Sequence, residues 1–298
     1  IMKKTLFSAC LLFSTLSLQA FEWPVKNINT ESFKSYFAQN RGKTLSTSLI
    51  IQVLPEKEKE EQFIPEVNTC DEGKILVILS DLKDENDFFP STLGQAVIIT
   101  HNDNMLSVYG NLEPYVENRF DDGPYIKTGT NIGTVSNSGW TETTNSLEFK
   151  VIDTKKKIAV NPRILLPRVE KEKSFAPSEI VVENKDGKRF DLNTNRSFLS
   201  GNYRFYQKRN ESMTPLKSSI IINGELFDEL NFEEIFQKEN QIFISSNSKK
   251  FSTTEIYPDQ KLLFIGEARI SKGKSVITFE NTSLLEEKRI ANYAVNIY

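Results

Sequence analysis

Few side chains in this sequence can do acid–base or metal chemistry at neutral pH. There is one histidine, His101 in "QAVIITH", and there are two cysteines, Cys10 and Cys70. A catalytic zinc needs three protein ligands and an open position for water, whose pKa then falls to about 7. One imidazole does not supply that set. Carboxylates alone favour calcium, magnesium or manganese, and the acidic stretches "FDDGP" and "HNDN" read as turns in which Asn and Asp bond their own backbone. A serine nucleophile would need His101 as its base, and no G-x-S-x-G elbow presents one. Cys70 could pair with His101, but "NTCDEG" puts acid beside the sulfur, which raises a thiol pKa. No glycine-rich phosphate loop is present. Paired carboxylates for glycoside hydrolysis stay open, with nothing favouring them. His101 reads best as a hydrogen-bonded structural residue.

The elements that would position these groups are short strands. "LSTSLIIQVL", "KILVILSDL", "QAVIITH", "MLSVYGNL", "NIGTVSNSG" and "SLEFKVID" are strand-length apolar runs rich in β-branched residues. Polar, acidic turns separate them, among them "PEKEKEEQF" and "KDENDFFPS". Before them, "NINTESFKSYFAQNRGK" spaces Phe33, Tyr36 and Phe37 as a short helix would. "LLPRVEKEKSFAPSE" has two prolines, a charge cluster and no periodic face, as a linker does. Strand candidates resume after it from "EIVVEN" to "YAVNIY", with turns at "NKDGK", "LSGN" and "SKGK". "FDELNFEEIFQKE" is the one helix candidate in that half. The expected fold class is all-β: a β-sheet domain followed by an immunoglobulin-like β-sandwich, with a short N-terminal helix.

Four fragments in order, "QAVIITHNDNMLSVYGNLEPY", "IKTGTNIGTVSNSGW", "NSLEFKVID" and "AVNPRILLP", carry a resemblance. Residues 42–168 resemble the β-sheet core domain of the lysostaphin/LytM-type zinc endopeptidases, the duplicated-hybrid-motif fold. In that frame Gly129, Gly133 and Gly139 serve tight turns, and Asn161-Pro162 ends the last strand. The resemblance implies a zinc held by an H-x-x-x-D pair and the second histidine of H-x-H. The first histidine of H-x-H, aided by a Tyr-x-His-Leu histidine, would handle the proton of the attacking water. Carried onto this chain, the metal positions fall on Ser46, Ile50 and Glu148, and the proton-handling positions on Ser146 and Asn111. His101 matches the end of a Val-Ile-x-His strand, which is not a metal ligand. The resemblance therefore implies a degenerate member without catalytic residues, metal or other cofactor. Its candidate cleft would be lined by His101, Tyr109, Asn111, Trp140, Ser146 and Glu148, with Trp140 either stacking on a ligand or packing on the sheet.

Of 298 residues, 38% are hydrophobic and 26% charged, as in globular chains. The net charge of −3 lacks the basic footprint that nucleic acid requires. Residues 1–20 read as a cleaved secretory signal: Lys3 and Lys4, an apolar run over 5–18, then "LQA". Cys10 lies too close to Lys4 to be an acylation site. Removing Lys3 and Lys4 takes 37 basic residues to 35 against 40 acidic ones, a charge near −5. Cys70 is then the remaining cysteine, so no internal disulfide is expected and the thiol should be buried. The expected domains are 21–41, a helical lead-in; 42–168, the LytM-like domain; and 169–298, the sandwich. The expected function is a catalytically inactive exported protein of the periplasm or cell envelope. It would bind peptidoglycan or regulate a cell-wall hydrolase such as an amidase. The alternatives are an active wall endopeptidase with a non-standard site and a purely structural envelope protein.

Overall fold

The structure is a computed structural model and describes residues 21–42, 44–53, 65–79, 91–113, 123–141, 143–169 and 172–298. The export-signal reading, the charge run over 56–61 and most of "KDENDFFPS" and "FDDGP" lie outside the described residues.

The strand Ser146–Asp153 is central to the first half. Side chains alternate across a strand, and here Leu147, Phe149 and Val151 enter the core while Ser146, Glu148 and Lys150 take the other face. Along one edge it pairs antiparallel with Met105–Leu112, followed by Gln95–Thr100 and Gly73–Leu79. Its other edge is shared. Leu49–Gln52 pairs with its start and Ile158–Val160 with its end. Asn161 then closes the last strand. Its side chain accepts from the Arg163 backbone N–H, and Pro162 opens a short 3₁₀ turn. "HNDN" is likewise a tight turn, with Asp103 and Asn104 in the left-handed region at φ 59° and 64°. In the turn before the strand Gln95–Thr100, Gly94 adopts φ 63°, and a Cβ there would sit 2.3 Å from the Gly139 nitrogen. No other residue fits so close an approach.

The second half is also antiparallel sheet. Glu225–Lys238, Lys217–Ile222, Gly273–Thr282 and Lys288–Ile297 lie side by side. A second sheet of Arg189–Asp191, Val181–Asn184, Gly201–Lys208 and Leu262–Ile270 covers them. Val182, Phe205 and Ile265 meet Ile220, Ile277 and Phe279 between the layers. Gly266 permits the contact, since a Cβ there would lie 2.9 Å from Ile220 Cδ1. The buried Asp228 carboxylate accepts the Glu267 N–H across the same gap at 3.1 Å. The fold is almost entirely β.

Two expected helices are absent. Phe33–Ser35 is a strand pairing with Leu49–Gln52, because an isolated helix this short is marginal and backbone pairing is available. Its aromatics instead hold Arg163, whose guanidinium lies 5.0 Å from the Phe33 ring centre and 4.8 Å from that of Tyr36. "FDELNFEEIFQKE" lies in the strand Glu225–Lys238, where Asp228, Leu230 and Phe232 are buried at a period of two. Among the described residues the α-helix is one turn, Thr253–Ile256.

The expected linker is docked rather than free. Trp23 Nε1 donates to the Pro167 carbonyl at 3.0 Å, and Arg168 Nη1 to the Arg163 carbonyl at 2.9 Å. Arg163 and Glu172 form a buried ion pair. The sheet itself continues across this region, with Ile158–Val160 pairing with Glu234 to Phe236 of the second half. One apolar core contains Leu147, Phe149 and Leu166 together with Phe232, Phe251 and Phe264.

Candidate functional site

On the face of Ser146–Asp153 away from the core, Glu148 stands opposite Ile50 on one neighbouring strand and Gly110 on the other. Its side chain is 3% exposed. Three donors converge on Oε1: Ser48 Oγ at 2.9 Å, Lys150 Nζ at 3.2 Å and Arg41 Nη1 at 3.4 Å. A buried carboxylate must be paired and hydrogen-bonded to be tolerated, and two cations with a hydroxyl meet that need. Arg41 arrives from the two-stranded hairpin Asn40–Arg41 with Thr44–Leu45. Its Nη2 also points to the Trp140 carbonyl at 3.5 Å. Trp140 itself is 57% exposed at the rim.

The other carried-over positions are engaged in holding the fold. Ser46 Oγ donates to the Ser48 carbonyl at 3.0 Å. Ile50 is buried and has no donor atom to offer. Ser146 Oγ donates to the Thr143 carbonyl at 2.7 Å. Asn111 is fully buried at φ 63°. Its Nδ2 donates to the Ser136 and Ser146 carbonyls at 2.7 and 2.6 Å, and its Oδ1 accepts the Gly139 N–H at 2.8 Å. The amide thus ties three segments together and has little left for a proton in transit.

His101 and Tyr109 do not join this group. Tyr109 pairs with Phe149 and faces the core, since neighbours on a strand alternate faces. His101 Nδ1 lies 2.7 Å from the Glu72 carbonyl, which can only accept, so that nitrogen carries the hydrogen. His101 Nε2 lies 2.7 Å from Ser107 Oγ, and that hydroxyl is 3.1 Å from the Tyr109 hydroxyl. The Cys70 N–H donates to the Tyr109 oxygen at 2.8 Å. Phe21 packs on the imidazole with ring centres 5.3 Å apart. Burial pushes the Cys70 thiol up to about 12, and the Tyr109 hydroxyl well above its usual range. Both stay protonated at neutral pH, so this buried chain offers no thiolate nucleophile.

Zinc does not fit the positions the resemblance assigns to it. Ile50 has no ligating atom, Ser46 is committed, and Glu148 already faces two fixed positive charges that would repel a third. Among the described residues, no three His, Cys, Asp or Glu side chains form a metal-binding group. Three residues of the site were not singled out from sequence: Ser48, Lys150 and Arg41. Lys150 carried a signal, since it follows Glu148 by two on a strand and must share its face. Arg41 carried none.

The strand order, the glycine turns and the Asn-Pro stop define the class by fold alone: an antiparallel β-sheet domain. Residues 66–162 match the model described as peptidase family M23, and that segment is an M23, LytM-type, domain. Asn111, Ser146 and Glu148 lie within the matched segment; Ser46 and Ile50 precede it. A second family model, bearing no functional description, matches residues 174–298. No curated protein matches the chain. Solved structures that resemble it include a mutant catalytic domain of the prophage-encoded M23 protein EnpA from Enterococcus faecalis. That likeness has 19% identity and a TM-score of 0.33 over 44% of this chain and 87% of that one. A SpoIIQ–SpoIIIAH pore-forming complex gives 18% identity and a TM-score of 0.36, over 52% and 95%. A second SpoIIIAH–SpoIIQ complex gives 22% and 0.30, over 48% and 86%. Among the described residues, no helix is long and apolar enough to cross a membrane.

Proposed function

We propose that the protein is an exported, non-catalytic member of the M23 fold that binds peptidoglycan through the face of its old metal site. The observation that carries this reading is the ion cluster around Glu148: Arg41 and Lys150 supply the positive charge, and no ligand set for a metal remains. Without a metal-bound water, the face has no nucleophile for peptide hydrolysis, while the exposed Trp140 beside it retains the means to contact a sugar or peptide. The reading of residues 1–20 as an export signal supports an envelope location. Residues 169–298, which we take as an immunoglobulin-like sandwich, act as a scaffold on which the binding face is held.

Co-sedimentation of the purified chain with isolated sacculi tests this. The expected result is saturable pelleting, reduced by Trp140→Ala and Arg41→Gln. Capture of an amidase from an envelope extract, with no pelleting, would assign the face to the regulation of a hydrolase. No binding to either would leave a structural envelope protein.

A further inference from the structure

The proposed wall-binding role does not say which chemical group the site grasps, and the arrangement around Glu148 bears on that. Two cations address a single carboxylate oxygen, leaving one positive charge in excess. Their exposures differ sharply from that of their partner: the Arg41 side chain is 43% exposed and that of Lys150 23%, against 3% for Glu148. Arg41 spends only Nη1 and Nη2, on contacts at 3.4 and 3.5 Å, both at the long limit for a hydrogen bond. A guanidinium has five N–H donors and an ammonium three, so both heads keep donors to spare. Because Nη1 and Nζ lie on the same oxygen, one incoming carboxylate can touch both. The floor beneath is closed, since Ser48 and Glu148 are buried.

Resting on the wall-binding reading, we propose that Arg41 and Lys150 form an anion anchor that takes the free C-terminal carboxylate of a wall peptide. Trp140, whose carbonyl is the second contact of Arg41, covers the adjoining residues of that peptide. Arg favours this task because its planar fork matches a carboxylate in two-point contact. Glu148 holds the two heads in place and also competes with the ligand. Its charge weakens anion binding while its geometry supports it.

The test uses the full-length exported chain and a fluorescent peptide ending in D-alanyl-D-alanine, with a free carboxylate or as the amide. The acid is expected to bind about tenfold more tightly than the amide, with affinity falling as salt rises. Arg41→Gln should lose about the same factor while Tm falls only slightly, since Lys150 Nζ and Ser48 Oγ still hold the Glu148 carboxylate. Arg41→Lys should recover part of it. Glu148→Gln should bind the acid more tightly and the amide no differently. Equal binding of acid and amide overturns the anchor, as does discrimination that survives Arg41→Gln. If sacculi pellet the protein while the peptides are bound without discrimination, the anchor fails and the wall-binding reading stands. If neither sacculi nor peptides bind, both fail together.

Discussion

Asn111 stands where the resemblance places a catalytic histidine, yet its three short hydrogen bonds are all to backbone atoms. Removing the amide by Asn111→Ala would orphan two buried carbonyls and one N–H, and would place alanine at φ 63°. The expected cost is about 2–4 kcal/mol, read from urea denaturation. A cost under about 0.5 kcal/mol would show that the amide is not a tie. The buried thiol gives a second residue-scale expectation. Burial raises the Cys70 pKa from 9.0 to about 12, so the fold favours the protonated form. That contribution is complete below pH 9 and is lost as pH rises from there through about 12. Tyr109 is shifted the same way and adds to the same alkaline loss. Melting temperatures between pH 8 and 11 should therefore fall more gently in Cys70→Ala than in the parent. Identical slopes would show that the thiol is not held protonated by the fold.

At the scale of elements, Ile158–Val160 is the strand on which the two halves depend. Ala159 pairs with Ile152 on one side and Ile235 on the other. Ala159→Pro removes a ladder donor from a strand flanked on both sides and should cost about 2–4 kcal/mol. Leu226→Ala, at an exposed hairpin, should change stability by less than about 0.5 kcal/mol. A small effect at Ala159 would mean that the halves do not share their sheet. Most strands were legible from β-branched runs between turn residues, as in "MLSVYGNL" and "SLEFKVID". The strand Glu225–Lys238 was not, because Phe232, Ile235 and Phe236 lie at spacings a helix also permits. The burial of Asp228, Leu230 and Phe232 at a period of two is decided by the neighbouring strands, which local sequence does not display. "LLPRVEKEKSFAPSE" misled for a related reason: proline and charge mark a non-repeating path, but they do not say whether that path is docked. Within the site, the absence of a ligating atom at Ile50 and of an imidazole at Ser146 could be read directly. The ion cluster could be read only in part, since Arg41 reaches Glu148 from 107 residues away.

For the whole molecule, the continuous sheet and shared core imply one cooperative unit. Calorimetry should show a single transition with equal calorimetric and van't Hoff enthalpies. Two separated transitions would restore the independent domains that composition alone led one to expect. The same unity bears on function, because the site's floor strand is built into the sheet that joins both halves, so the face around Glu148 is held rigidly. Among the described residues no ligand set for a metal is assembled, so the proposed role of this face is to grip a wall fragment and not to generate a metal-bound nucleophile. The most direct measurement is muropeptide release from purified sacculi incubated with the full chain, with and without added zinc. The expected result is release no greater than the buffer background under both conditions. Release that zinc promotes and a chelator abolishes would contradict the account.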